Sequence, residues 1–170
     1  MKFYIASQLE NATNVRKIAD YLRYRGWEQT YDWTVHGLVT DRDRLEEISM
    51  REIHGVIDAD VLFVLLPGAR GTHTELGAAI ATCRPIVILA HNQEAFERDG
   101  HLCVFYRHPM VYDRIIHNDI TRLAFQAHRT GKKALRWAAK CNPDPDYDNI
   151  ACEMNAPAVV IEEPGIQREG

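Results

Sequence analysis

Long apolar runs are missing from this chain. Its most hydrophobic stretch, Val61–Leu66, is six residues, far short of the roughly 20 that a membrane-spanning helix needs. The run Phe3–Ala6 is likewise too short for a signal-peptide core and reads as a first strand. Paired cysteines are missing too. Cys83, Cys103, Cys141 and Cys152 lie far apart with no C-x-x-C spacing, which argues against a zinc site or a disulfide framework and favours a reduced, cytoplasmic protein. An excess of positive charge is absent: 20 Lys and Arg stand against 24 Asp and Glu, a net charge of −4, which gives no electrostatic case for nucleic-acid binding. The eight histidines show no H-E-x-x-H or paired metal spacing. No internal repeat is visible, and 170 residues suit a single domain.

What is present is an alternation of short apolar runs with helical patterns. Lys2–Ala6 is predicted as a strand, followed by a polar loop and a helix to about Arg25 with Val15, Ile18, Ala19 and Leu22 on one face. Gly26 stops that helix, and Glu28–Tyr31 is a second short strand. Asp41 is placed to cap a helix to about Asp58, with Leu45, Ile48 and Ile53 as its expected core contacts. Val61–Leu66 lacks alternation, as in a strand buried on both faces. A helix from about Thr74 to Cys83, rich in Gly77, Ala78, Ala79 and Ala81, leads to a fourth strand at Pro85–Ala90 and a fifth at Cys103–Tyr106. A long helix is expected over about Tyr112–Lys140, with an interruption near Gly131 and a basic exposed face that serves either solvation or a partner. The pattern predicts an α/β fold: a single-domain doubly wound (Rossmann or flavodoxin-like) sheet, five-stranded and mainly parallel, with flanking helices over residues 1–140. Residues 141–170, with Pro143, Pro145, Pro157 and Pro164, read as an extended C-terminal arm. Its Asp144–Asn149 stretch starts like a calcium loop but lacks the sixth-position glycine and ends on Asn155 where a glutamate is needed.

The densest chemical signal is Asp60-Val-Leu-Phe-Val-Leu-Leu-Pro-Gly-Ala-Arg-Gly-Thr-His-Thr-Glu75-Leu-Gly, a buried strand, a glycine-bearing loop and a helix start carrying a carboxylate. In an open parallel sheet such a junction is where ligands bind, and backbone N–H groups there hold anions or polar sugars. No lysine follows Gly71, so this is not a phosphate-cradling P-loop. Glu75 has two readings: a carboxylate beside the ligand, or the last member of a capping box Thr72-His-Thr-Glu75.

Lys2-Phe-Tyr-Ile-Ala-Ser, Tyr31-Asp-Trp-Thr, Ala59-Asp60 and Gly71-Thr-His-Thr-Glu75-Leu-Gly-Ala-Ala, in this order, resemble the nucleoside 2-deoxyribosyltransferase family over about residues 2–90. The segment Pro67-Gly-Ala-Arg-Gly71-Thr72-x-x-Glu75, with Arg51 nine residues before Asp60, is also similar to the lysine-decarboxylase-like nucleotide phosphoribohydrolases, although Ala69 departs from that motif's second glycine. Both resemblances imply cleavage of an N-glycosidic bond in a nucleoside or nucleoside 5′-monophosphate, with the sugar passed to another base or to water. They imply a small-molecule substrate, no metal or organic cofactor, and a homo-oligomer, most simply a homodimer, with neither nucleic acid nor membrane as partner.

Such a reaction needs a group to meet the positive charge developing at C1′ and a way to protonate the departing base. The resemblance assigns Glu75 as nucleophile or stabiliser, Asp60 as acid or orienting group, and Tyr4 as the positioner of Glu75. Asp60 also suits a turn residue, and Tyr4 a plain core aromatic. Substrate contacts are expected from Ser7 and Gln8 with Asn11 behind them, from Gly68, Arg70, Gly71 and Thr72, and from Trp33 stacking on the base. Arg51 either faces a phosphate or belongs to the helix surface. His36 and His73 are proton carriers by type, with incidental roles the plainer reading. Relatives carry an Asp or Ser six residues before the Glu, where Ala69 stands here, and Arg70 beside it favours an anionic substrate. The alternative reading from another class is a non-catalytic protein that binds a nucleotide or an NAD-derived signal in the same crevice.

Overall fold

The computed structural model describes residues 1–98 and 100–140. Five strands, β1 (Lys2–Ala6), β2 (Glu28–Gln29), β3 (Val61–Leu65), β4 (Ile86–Ala90) and β7 (Val111–Ile116), form one sheet in the order β2-β1-β3-β4-β7. Every neighbouring pair is parallel. Two short strands, β5 (Glu97–Arg98) and β6 (His101–Leu102), make a separate antiparallel hairpin. Four helices flank the sheet: α1 (Ala12–Tyr24), α2 (Arg42–Asp58), α3 (Arg70–Ala81) and α4 (Ile120–Ala138). The expected doubly wound α/β architecture is what the chain adopts.

The reasons are local and then collective. All five residues of β3 and all five of β4 are buried, because helices cover both faces of a parallel sheet. Helix α1 buries Val15, Ile18, Ala19 and Leu22, as its spacing predicts, and ends before Gly26 at φ +80°. Asp41 caps α2 by accepting from the Arg44 N–H at 2.9 Å. Asp119 does the same for α4 through the Arg122 N–H at 2.7 Å.

Several expectations are corrected. The fifth strand of the sheet is Val111–Ile116, and Cys103–Tyr106 instead enters a 3-10 turn at Val104–Arg107. That apolar run is not sheet core: Val104 and Phe105 stay exposed while Tyr106 folds inward against Phe96. The long helix accordingly starts at Ile120 rather than Tyr112, since Val111–Ile116 pairs with β4. Helix α3 begins at Arg70, four residues earlier than expected. Leu45 is 45% exposed and Ile48 and Ile53 only partly buried; α2 approaches the sheet through Gly55 and Val56. In α3 it is Ala79 that is buried, whereas Gly77 and Ala81 are exposed. The expected arm at residues 141–170, and the acidic stretch within it, lie outside the described residues. Among the described residues no helix is long and apolar enough to cross a membrane.

Helix α4 runs straight through Gly131, where an interruption was expected. A Cβ at this position would meet Phe63 Cζ at 2.8 Å and Trp27 Cη2 at 2.9 Å. The glycine weakens the helix by about 1 kcal/mol relative to alanine, yet its bare Cα lets α4 settle on the aromatic cluster of Phe3, Trp27 and Phe63. Gly131→Ala is therefore expected to lower stability by roughly 1–3 kcal/mol in urea denaturation, the usual range for overpacking. A variant as stable as the parent would mean this contact is not tight.

Candidate functional site

In a 2-1-3-4-5 strand order the connections leave in opposite directions from β1 and β3, and the gap between their carboxyl ends is where such folds bind ligands. Here the gap is a crevice of about 330 Å³. The β1–α1 loop, the turn after β2, one face of α2 and the start of α3 form its walls, contributing among others Gln8, Trp33, Glu52, Thr72 and Glu75.

Glu75 sits in the second turn of α3 and is only 4% exposed. Tyr4, midway along β1 and fully buried, donates its hydroxyl hydrogen to Glu75 Oε1. Burial pushes the Glu75 carboxyl up to about 8; the Tyr4 hydrogen bond pulls the other way, and the Glu52 carboxylate adds a smaller upward push. The Tyr4 phenol is itself held well above its ordinary value by burial and by the neighbouring Glu75. These opposing effects are those of a buried acid with one good hydrogen-bond donor.

The capping-box reading of Glu75 fails, because α3 begins three residues too early for it. Ala69 is the N-cap residue, and Thr72 Oγ1 accepts from the Ala69 N–H at 3.1 Å. That is half of a capping box; alanine has no side-chain acceptor for the other half. Glu75 is thus free of any capping duty and faces inward.

Ser7 and Asn11 tie the two loops at the crevice floor together. Ser7 Oγ donates to the Leu65 carbonyl at 2.7 Å, and Asn11 Nδ2 donates to Ser7 Oγ at 2.9 Å and to the Pro67 carbonyl at 3.1 Å. Trp33 is positioned by its indole N–H, which donates to the Ile5 carbonyl at 2.8 Å. Asp32 shapes that turn by accepting from Thr34 N and Oγ1. Gly71 and Thr72 line the crevice. Gly68 packs against Thr72, with 2.8 Å from its would-be Cβ to Thr72 Cγ2.

Other expected site residues are not brought here. Asp60 precedes β3 at the opposite end of the sheet, where its carboxylate accepts from the Lys2 N–H at 2.7 Å. It closes the amino-terminal edge of the β1–β3 pair, the turn role open to it from sequence, and cannot act with Glu75. Arg51 is exposed and paired with Glu47 on the same helix, not turned to the crevice. Arg70 stands exposed at the first turn of α3 and does not line the crevice. His73 is engaged elsewhere, with Nδ1 at 2.8 Å from the Ala69 carbonyl and Nε2 at 3.0 Å from the Tyr106 hydroxyl.

Two residues enter that sequence reasoning missed or set aside. Glu52 on α2 lines the crevice, and burial raises its carboxyl above the ordinary range. The available signal was its helical spacing with Ile48 and Val56, which puts a charge on the inward face of α2. His36 also lines the crevice, with Nε2 2.6 Å from the Tyr31 hydroxyl. Gly55 makes room for this arrangement: a Cβ there would lie 2.8 Å from Tyr31 Cβ and 3.0 Å from the Tyr4 ring.

No protein-family model and no curated protein sequence matches this chain. Among solved structures it is similar to the CMP N-glycosidase BcmB of Clostridium botulinum, with a TM-score of 0.54 and 18% identity over 74% of this chain and 96% of that one. It is similar to BlsM, with a TM-score of 0.58 and 19% identity over 86% of this chain and 96% of that one. A conserved protein from Enterococcus faecalis V583 is a third, with a TM-score of 0.54 and 17% identity over 78% and 98% of the two chains. Likeness at these identities establishes a shared fold, and the match runs over nearly the whole of each neighbour.

A carboxyl raised from 4.5 to about 8 favours folding only while it is protonated. Its contribution is fully present below the unfolded value and is lost as the pH rises through about 8. Glu75→Gln, which keeps the shape and removes the charge, is expected to raise the melting temperature clearly at pH 8 and little at pH 4. An equal shift at both pH values would show that burial of charge at Glu75 is not a source of strain.

Proposed function

We propose that this protein cleaves the N-glycosidic bond of a nucleoside or nucleoside 5′-monophosphate, with Glu75 acting on C1′. The observation that carries the reading is the buried Tyr4–Glu75 hydrogen bond at the β1–β3 switch point. A buried carboxylate, held in one orientation by a phenol, suits a reaction that develops positive charge on a sugar carbon. The shared fold with a CMP N-glycosidase supports the same reaction class.

The chemistry follows from the positions. The C1′–N bond breaks and its electron pair leaves with the base nitrogen. Glu75 in its carboxylate form meets the C1′ cation through the oxygen that Tyr4 leaves free, or bonds to it. The departing nitrogen takes a proton, and Glu52, whose carboxyl is raised by burial, is the group placed in the crevice to hold one. This role replaces the one expected of Asp60. Water or a second base then takes the sugar and returns Glu75 to its carboxylate. Trp33 offers an aromatic face to the base, and Gly71 and Thr72 at the start of α3 suit the polar sugar side. Leu9 and Leu45, which line the crevice, are 40% and 45% exposed, and this apolar rim supports completion of the site in a homodimer.

Incubation with a panel of nucleosides and 5′-monophosphates, with and without an acceptor base, tests the reading by chromatography of free base. Release is expected from the parent, to be abolished in Glu75→Ala, and to fall about 100-fold or more in Glu52→Gln, as for loss of a general acid. Dependence on the acceptor would mark a transferase. No release from any substrate, with a nucleotide still raising the melting temperature, would favour a non-catalytic binding protein.

The pH profile gives a separate check. Because kcat/KM follows ionisation in the free enzyme, and the reaction needs Glu75 ionised while the more acidic Glu52 holds its proton, it should fall as the pH rises past about 8, where Glu75 ionises. Tyr4→Phe removes the hydrogen bond that lowers this value, so the falling limb should move to higher pH. An unmoved limb would detach Tyr4 from the catalytic carboxylate.

A further inference from the structure

Helix α3 carries Glu75 in its second turn, yet the start of this helix is poorly secured by its own sequence. The N-cap residue is Ala69, which has no side-chain acceptor for the free N–H groups of the first turn. Gly71 follows within that turn, and glycine loses more conformational freedom in a helix than other residues do. Arg70, Gly71 and Thr74 are exposed, so the helix is buried only through Thr72, Glu75, Leu76 and Ala79. Its first turn therefore depends on a partner from outside the helix.

His73 and Tyr106 supply that partner. The Ala69 carbonyl accepts from the His73 backbone N–H at 3.2 Å and lies 2.8 Å from His73 Nδ1. A carbonyl only accepts, so Nδ1 carries the ring proton and Nε2 of the neutral ring is left as an acceptor. Nε2 faces the Tyr106 hydroxyl at 3.0 Å. Burial pushes the Tyr106 phenol up to about 12, so this hydroxyl keeps its proton and donates it to the ring. The two rings also stack, 24° from parallel with centroids 5.7 Å apart. Tyr106 is fixed from behind in turn. It is 6% exposed and packs edge-on against Phe96 at 6.0 Å. Its carbonyl accepts from Arg114 Nε at 2.7 Å and from Nη2 of the same guanidinium, carried by β7. One chain of contacts thus runs from the sheet through Tyr106 and His73 to Ala69, which lines the crevice.

We infer that Tyr106 is a positioning residue for the crevice. Acting through His73, it holds the first turn of α3, and with it Gly71, Thr72 and Glu75, in place against a bound nucleoside. Tyr106 itself does not line the crevice, so its effect travels through the helix. This role rests on the N-glycosidase reading, because it gives Tyr106 a part in setting Glu75 opposite C1′.

Tyr106→Phe is the test, since it keeps the ring against Phe96 and His73 and removes only the donor. Amide hydrogen exchange at His73, Thr74 and Glu75 is expected to quicken about tenfold while the amides of α1 and α4 stay as they are, the mark of a local opening. In the base-release assay kcat should fall about tenfold with KM held within about twofold, the rate equivalent of one ordinary hydrogen bond. His73→Ala should cause the same loss, and the double variant no greater loss than either alone, because the two residues act as one unit. Unchanged exchange at these amides overturns the proposal. So does faster exchange spread over every helix, which would mean general destabilisation, and so do additive losses in the double variant or a change confined to KM. If the parent releases base from no nucleoside or nucleotide, the N-glycosidase reading fails and the positioning role fails with it. The exchange result then still separates that outcome from a Tyr106 that holds nothing.

Discussion

A carboxylate buried at the carboxyl end of a parallel sheet, with one phenol bonded to it, is the constraint on which the rest of this structure turns. Glu75 is 4% exposed and Tyr4 fully buried, so each is the other's main polar partner. An unmade bond here would leave two desolvated groups, which is far costlier than the net gain from an ordinary hydrogen bond. The surroundings are arranged to keep the pair together. Residue 55 must be glycine-sized for the Tyr4 ring to lie where it does. Helix α3 must begin at Arg70 for Glu75 to point inward, and Thr72 secures that start by accepting from the Ala69 N–H. The loops beneath are joined by Ser7 and Asn11.

The same arrangement explains why the site is unstable by construction and still useful. Burial raises Glu75 to about 8 and raises Glu52 as well, so two carboxyls in one crevice resist ionisation for the same reason. Strained titratable pairs of this kind cluster at catalytic centres. In the proposed reaction a sugar carbon gaining positive charge would relieve that resistance, because the ionised form of Glu75 would then be favoured. Trp33, fixed by its bond to the Ile5 carbonyl, adds a rigid apolar wall that requires no reorganisation on binding. Likeness of fold to a CMP N-glycosidase fits this chemistry without supplying it, since functions are carried by sites rather than folds.

Much of this was legible in the sequence. Short apolar runs alternating with helical patterns gave the α/β class, and four of the five sheet strands were located from those runs. The fifth was misread because Cys103–Tyr106 is apolar while Val111–Ile116 carries Asp113 and Arg114. An edge strand exposes one side, so its pattern is mixed, and pairing with β4 outweighed local hydrophobicity. Glu75 and Tyr4 were singled out through motif and resemblance, and the structure brings the two side chains together. Asp60 was misplaced because a motif gives order along the chain but not which end of a strand a residue occupies. Glu52 was overlooked because one charged residue on a helix looks the same from sequence whether it faces water or a crevice.

Sequence by itself determined the class of fold, the loop that ends β3 and the identity of the inward carboxylate on α3. Those follow from interactions spanning a few residues: short apolar runs and helix periodicity, glycine and proline punctuation, and the Asp41 cap. Only the tertiary structure decided which groups share the crevice with Glu75. Tyr4 and Glu75 are 71 residues apart, and Glu52 joins them from a third element through the packing of α2 across the sheet. The physical reason is that burial and pKa depend on everything that excludes water from a group, and that exclusion comes from elements distant in the chain.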